Sequence, residues 1–539
     1  MKKLVSRLMA VLMAMTMILS MSMTAFAAEA PKGTLTVNNT VKGKTLDLYQ
    51  IFTATKNGDN VAYTLNSAYE GFFKNNTRIP GSESLTGEAL SEAAYNYVKT
   101  QVGTDGSNGA AFAKDIMGWI LGNTATVEAT HTTATTTDTT TVINNLDYGY
   151  YVVYPLGATD TSAAPGTGQD YTSVASLVSV TGDTSINMKS NYPTVVKKVN
   201  NKIADDVNIG DTVTYTLTSK VPDMTGYTSY VFNFKDTLSA GLTFKEITSV
   251  KVGSGENVQN VTAGTGDNTY TLTHDGQNIT ITMNNFLASN ANKAGQEIKV
   301  TYTATLNKDA VTGFDANKNS ATVEYSNKPG TDNKGESEPS IVDVHTFNFT
   351  IFKYYLKGET QTGLANAEFE LYKANEAGDA ADTNAKINIV DEGNGVYRQA
   401  TADEAKATGF TSAKIVSDAD GKVLVKGLDA GAYYLRETKA PEGYNKLLSD
   451  IKVEIKPVYD ETTGKLTSYS VDYTYNGTTK NSGAITDKDN SPEVPVENKT
   501  GAQLPSTGSK GALMVTLAGI VLFGALTASK AFGKKKANN

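Results

Sequence analysis

Between residues 193 and 327, and again between 342 and 499, apolar side chains return at every second position, the period of a strand with one face in a core. In DTVTYTL, Val213, Tyr215 and Leu217 alternate with threonines. In EIKVTYTATL, Ile298, Val300, Tyr302, Ala304 and Leu306 alternate with polar or small residues. The second stretch carries FNFTIFKYYL, KVLVKGL and GAYYLRET. β-Branched enrichment and turn signals between runs predict an all-β sandwich in each stretch. DADG at 418–421 reads as a turn, because the remaining acidic positions of a calcium loop are missing.

The stretch before residue 190 is mixed. Apolar residues recur at three and four over 84–101 and 110–123, which predicts two helices. Short strands flank them, GTLTV from Gly33 and YGYYVVY from Tyr148, and the Thr-rich run 130–141 reads as a polar loop. The fold class is therefore mainly β: tandem immunoglobulin-like sandwiches, the first with helical insertions. The expected domains are 28–190, 191–340 and 341–499, with the polar, Gly- and Pro-containing segment 326–340 as a linker or long loop.

Assigning faces to the strands exposes an anomaly. Val195, Lys197 and Val199 share a face, as do Phe232, Phe234, Asp236 and Leu238, and as do Asn319, Ala321, Val323 and Tyr325. One lysine, one acid and one asparagine thus point inward. The third domain repeats the order, with Lys353 among Phe347, Phe349, Ile351 and Tyr355, Glu437 beside Tyr433 and Leu435, and Asn498 beside Val494 and Val496. Any one of these at a sandwich rim in water would be ordinary; six in the same order in two domains are not. Buried charges are costly unless paired. Desolvation makes the lysine amine neutral and the carboxyl protonated, so the amine becomes a nucleophile and the acid a proton shuttle beside the asparagine amide. Such a trio held in contact can form a Lys–Asn amide with loss of ammonia.

The chain has no cysteine, so no disulfide can stand in for such a bond. Acidic residues number 56 against 48 basic ones, and no basic patch suggests nucleic acid. His131, His274 and His345 lie far apart in no ligand-spaced motif and are expected as surface or loop residues. No metal or other cofactor is expected.

Both ends read as processing segments. Residues 1–27 have a basic start (Lys2, Lys3, Arg7), an apolar run and Ala25-Phe26-Ala27, the form of a cleaved signal peptide. Residues 500–539 hold LPSTG, then an apolar stretch long enough to span a bilayer, then Lys530, Lys534, Lys535 and Lys536. Leu504, Pro505, Ser506, Thr507 and Gly508 resemble the LPxTG sorting signal of Gram-positive surface proteins. That resemblance implies cleavage by a sortase cysteine between Thr507 and Gly508, with the acyl-enzyme resolved by an amine on the cell wall or on another protein.

PTVVKKVN, IGDTVTYTL, FKDTL and NSATVEYSN resemble the middle domain of Gram-positive pilus backbone subunits, and YYLRETKAPEGY resembles the E-box of the collagen-adhesin-B-type domain. The resemblance implies spontaneous isopeptide bonds, Lys197 to Asn319 with Asp236 as the acid and Lys353 to Asn498 with Glu437. No trio is evident before residue 190, and no such bond is expected there. The family also needs an outward lysine that attacks the sortase-held threonine of the next subunit. Its usual Tyr-Pro-Lys is broken here, since Thr194 follows Tyr192-Pro193. Lys189 in SINMKSN is the replacement expected first, and Lys198 second. The implied protein is a secreted, wall-attached shaft subunit rather than an enzyme. Its partners would be pilus-specific and housekeeping sortases, identical subunits head to tail, tip and base pilins, peptidoglycan, and host or other cell surfaces. A monomeric wall-anchored adhesin for host matrix or glycan would share both ends and both cross-links.

Overall fold

The computed structural model describes residues 31–103, 109–158, 174–188 and 191–501. The expected signal peptide, Lys189, the LPSTG motif and the apolar stretch after it lie outside the described residues. Among those described, no helix is long and apolar enough to cross a membrane.

The first unit holds two sheets and two main helices. The strand Lys32–Asn38 lies between Thr140–Asp147, antiparallel, and Thr184–Asn187, parallel. A second sheet is centred on Leu46–Asn57 and Gly149–Pro155. The helices expected at 84–101 and 110–123 run Gly87–Val102 and Gly109–Gly122. Gly103, at φ +77°, closes the first in a conformation that only glycine adopts without strain. Phe72, Phe73, Phe112 and Ile116 pack with Tyr49 and Phe52, so the helices cover one face of the second sheet. The Thr-rich run is mostly irregular, apart from His131–Thr132, which pairs with Asp47 and Leu48, and Thr140 and Thr141, which open the strand Thr140–Asp147.

The middle unit is a sandwich. One sheet runs, in spatial order, from Gln259–Asn260 through Leu242–Val252, Glu297–Leu306 and Thr212–Lys220 to Val196–Val199 at its edge. The facing sheet sets Ser340–His345, Asn317–Ser326, Phe232–Leu238 and Asn278–Met283 side by side. The alternation read from the sequence becomes the core: Val213, Tyr215, Leu217, Ile298, Val300, Tyr302, Ala304 and Leu306 are all fully buried. Part of the expected linker is sheet, since Lys334–Glu336 turns back on Glu324–Ser326 and Ser340–His345 pairs with Asn317–Ala321, carrying this unit past residue 340.

The third unit is a second sandwich, with Phe347–Lys357 paired to Lys422–Leu428 and, in parallel, to Glu493–Glu497. Glu368–Ala374, Gly431–Lys439, Ile451–Tyr459 and Leu466–Tyr475 form the facing sheet. Only Thr346 separates the last strand of the middle unit from the first strand of the third. That tight junction corrects one expectation. His345 is 2% exposed rather than on the surface, because the two sandwiches close over it and its ring lies parallel to that of Phe347. His274 is exposed, as expected.

Candidate cross-linking sites

In the middle sandwich the inward Lys197, Asp236 and Asn319 converge. Lys197 comes from the edge strand Val196–Val199 of one sheet; Asp236 and Asn319 come from neighbouring strands of the other. The register sets Asp236 against Ala321 and Leu238 against Asn319, so the acid and the amide are diagonal neighbours on the inner face. Lys197 and Asp236 are 2% exposed and Asn319 fully buried. Lys197 Nζ is hydrogen-bonded to Asp236 Oδ2 and lies 4.8 Å from the centre of the Tyr215 ring. Burial pulls the Lys197 ammonium down to about 8 against the opposing charge of Asp236. Burial likewise raises Asp236, against the pull of Lys197. Both shifts favour the neutral pair, a free amine beside a protonated carboxyl.

A fourth group joins them. The Tyr302 hydroxyl lies 2.7 Å from Lys197 Nζ, 2.8 Å from Asp236 Oδ2 and 2.7 Å from Asn319 Nδ2. The alternation of EIKVTYTATL places Tyr302 on the core face, but nothing in a lone tyrosine of a threonine-rich strand distinguishes a core residue from a site residue. Asn317 shows the contrast on the other flank. It is buried too, yet its amide is tied to both the N–H and the carbonyl of Val311, an ordinary structural role.

The third sandwich assembles its trio differently. Lys353 lies on Phe347–Lys357 and Asn498 directly follows its parallel neighbour Glu493–Glu497, while Glu437 comes from Gly431–Lys439 on the other sheet. The Asn498 N–H donates to the Tyr354 carbonyl at 2.9 Å, which fixes the end of the last strand beside the lysine. Lys353 Nζ is 3.0 Å from Glu437 Oε1, with both side chains fully buried. That contact lies off the line of a hydrogen bond, so the charges are paired while the ammonium donors stay unused. Burial lowers the lysine, opposed by Glu437. Glu437 Oε2 accepts the Leu447 N–H at 2.7 Å and the Asn498 amide at 3.3 Å, and Asn498 also donates to the Asn445 carbonyl. The 441–450 loop therefore clamps both the acid and the asparagine. Sequence patterning did not reveal these loop contacts, since they are made by backbone atoms.

Of the other expected site residues, Lys198 is exposed on the far side of its strand from Lys197, while Lys189 and residues 504–508 lie outside the described residues. Among the described residues no cluster of three or more His, Asp or Glu side chains could hold a metal.

Two family models match the chain. Residues 209–329 match the Gram-positive pilin backbone subunit 2, Cna-B-like domain, and residues 355–470 match the SpaA prealbumin-like fold domain. The first match spans Asp236 and Asn319 and the second spans Glu437. The trypsin-resistant surface T6 protein of Streptococcus pyogenes serotype M6 is 27% identical over 319 residues, covering 54% of this chain and 51% of that protein. The chain thus spans about half the length of the curated relative it matches. Among solved structures, the T6 backbone pilin of serotype M6 Streptococcus pyogenes is similar over 89% of this chain and 100% of that one, at 17% identity and a TM-score of 0.44. The group B streptococcus pilus 2b backbone protein covers 57% and 99%, at 27% identity and a TM-score of 0.40.

Proposed function

We propose, for a chain that belongs to the Gram-positive backbone pilins, that it is the polymerising shaft subunit of a covalent cell-surface pilus, stiffened by two internal Lys–Asn isopeptide bonds. The observation that carries this reading is the double constellation of Lys197–Asp236–Asn319 and Lys353–Glu437–Asn498. Each holds a lysine and a carboxylate without solvent against an asparagine amide. As a permanent ion pair, either would be a poor use of a sandwich core, because desolvation offsets most of the attraction. As a reacting set it is coherent. The lysine passes a proton to the carboxylate and its amine attacks the Asn Cγ. The acid stabilises the developing oxyanion, and the Asn nitrogen departs as ammonia.

In the assembled fibre a sortase would cleave between Thr507 and Gly508 and transfer Thr507 to an outward lysine of the next subunit, Lys189 first and Lys198 second. Repetition of one head-to-tail junction gives an open filament rather than a closed ring. Housekeeping sortase, peptidoglycan, and tip and base pilins would complete the assembly at the surface of the cell, where the fibre supports adhesion. After cleavage of residues 1–27, the apolar stretch and basic tail beyond Gly508 would hold the subunit in the membrane until transfer.

The intact mass of the chain 28–507 tests the cross-links. A deficit of two ammonia masses is expected, one restored by Asp236→Ala and the other by Glu437→Ala. An uncorrected wild-type mass would leave the monomeric adhesin as the better reading. Co-expression with a pilus sortase tests polymerisation. A covalent ladder on a denaturing gel that disappears in Lys189→Ala identifies the acceptor. A ladder that persists there and disappears in Lys198→Ala moves the assignment to Lys198.

A further inference from the structure

The Tyr302 hydroxyl lies within hydrogen-bond distance of all three reacting side chains of the middle sandwich. Its strand, Glu297–Leu306, is paired along both edges, so its backbone has no freedom to drift. Its ring stacks on Tyr215 at 5.1 Å and is backed by Phe244 at 5.9 Å. The hydroxyl oxygen accepts from Lys197 Nζ and from Asn319 Nδ2, and its hydrogen is donated to Asp236 Oδ2. Asp236 has no direct hydrogen bond to Asn319; the tyrosine stands between them. In the third sandwich the order is different, since Glu437 Oε2 reaches the Asn498 amide itself at 3.3 Å.

We propose that Tyr302 is a catalytic residue of the Lys197–Asn319 cross-link, carrying a proton from the Asp236 carboxyl to the departing nitrogen of Asn319. The proposal rests on the reading that this bond forms, and adds to it a residue that the trio of lysine, acid and asparagine does not contain.

The step balances without any added reagent. Lys197 gives one proton to the Asp236 carboxylate, and the freed lone pair on Nζ attacks Asn319 Cγ while the carbonyl π pair moves to Oδ1. Collapse of the tetrahedral centre re-forms the carbonyl and breaks the Cγ–Nδ2 bond, whose electron pair leaves on nitrogen. That nitrogen takes the Tyr302 proton as Tyr302 takes the proton held by Asp236. With the second proton shed by Nζ, one ammonium and one primary amide have become one secondary amide and one ammonium ion. Burial beside Asp236 holds the Tyr302 hydroxyl well above its ordinary value, so a free phenolate is costly and the two proton movements are coupled. A hydroxyl fixed at hydrogen-bond distance from donor and acceptor is the geometry that proton transfer requires.

Tyr302→Phe in the full chain tests this, with both cross-links followed by peptide mapping as the protein matures. The Lys353–Asn498 bond in the same molecules serves as the internal clock. The expected result is a Lys197–Asn319 bond formed roughly 10²-fold more slowly, with the third-domain bond on schedule. Equal rates in wild type and Tyr302→Phe overturn the proposal. Because loss of a buried hydroxyl can also disturb folding, 3-fluorotyrosine placed at 302 provides a second measurement. It keeps the ring and hydroxyl but makes the proton more acidic. The rate is expected to change severalfold; an unchanged rate overturns the relay. A wild-type chain that never forms the Lys197–Asn319 bond defeats the cross-linking function itself, and this proposal with it.

Discussion

Lys197 and Asp236 show how burial decides the chemistry of a side chain. In water both would be charged and unreactive; in the middle sandwich burial pushes each toward its neutral form. Asn319→Ala, which cannot form the bond, makes this measurable. The folded Lys197 titrates near 8 and the unfolded one near 10.5. Between those values the unfolded chain holds a proton that the folded chain has released, so stability rises with pH. Asp236, raised by the same burial, opposes this below its own folded value, and buried tyrosines such as Tyr215 and Tyr302 oppose it near and above pH 10. The denaturation midpoint of Asn319→Ala is therefore expected to rise between pH 8 and 9.5, by about 1–2 kcal/mol in stability. The rise should vanish when Lys197→Met is added. A flat profile in the single variant would show that Lys197 keeps its proton through folding.

At the scale of elements, the seam between the second and third sandwiches is where small changes matter most. The Ile209 N–H donates to the Gly427 carbonyl at 3.0 Å, and a Cβ on Gly427, which has φ +83°, would come within 2.7 Å of the Ile209 side chain. Gly427→Ala is expected to loosen the seam and cost about 1–3 kcal/mol, read as a lower midpoint and faster amide exchange at Ile209. Asp206 reaches across the same seam, accepting the Ala430 N–H at 3.1 Å and the Tyr459 hydroxyl at 2.6 Å. Burial and the neighbouring Asp206 push Asp429 up to about 8. A carboxyl raised in the fold contributes stability while protonated, and that contribution is lost as pH rises from about 4 through 8. Asp429→Asn should flatten this loss and leave the seam more stable than wild type above pH 8. Calorimetry across that range checks it, and an unchanged slope would assign the pH dependence to other groups.

Across the whole molecule the two proposed bonds define which parts of the chain bear load. Tension entering at Thr507 would pass from Asn498 to Lys353, back along the chain to Asn319, and across to Lys197. Residues 198–318 and 354–497 would then hang in closed loops that force cannot straighten. The chain's lack of cysteine allows thiol handles at Asn191 and Gly501 for single-molecule pulling. Wild type should show no unfolding step from either loop. Asp236→Ala should release about 120 residues, ~400 Å at ~3.4 Å each, and equal extension of the two chains would exclude a bond in the middle sandwich. Each closed loop exceeds 100 residues, so the entropic gain per bond is about 5 kcal/mol, and the same variant should be cleaved faster by trypsin.

The amino-acid sequence by itself determined the strand period, the inward faces and hence the identity of Lys197, Asp236, Asn319, Lys353, Glu437 and Asn498, because alternation fixes which side of a sheet a residue occupies. It also placed the two main helices of the first unit to within a few residues, since their apolar positions repeat with the helical period. Only the tertiary structure decided which sheets those six residues come from: lysine opposite acid and asparagine in one sandwich, acid opposite lysine and asparagine in the other. It also buried His345, which no local pattern marks, by joining two sandwiches through a single residue. Tyr302 meets the three groups for the same reason. A hydroxyl on a core strand acquires a function only when strands distant in sequence bring an amine, an acid and an amide to it.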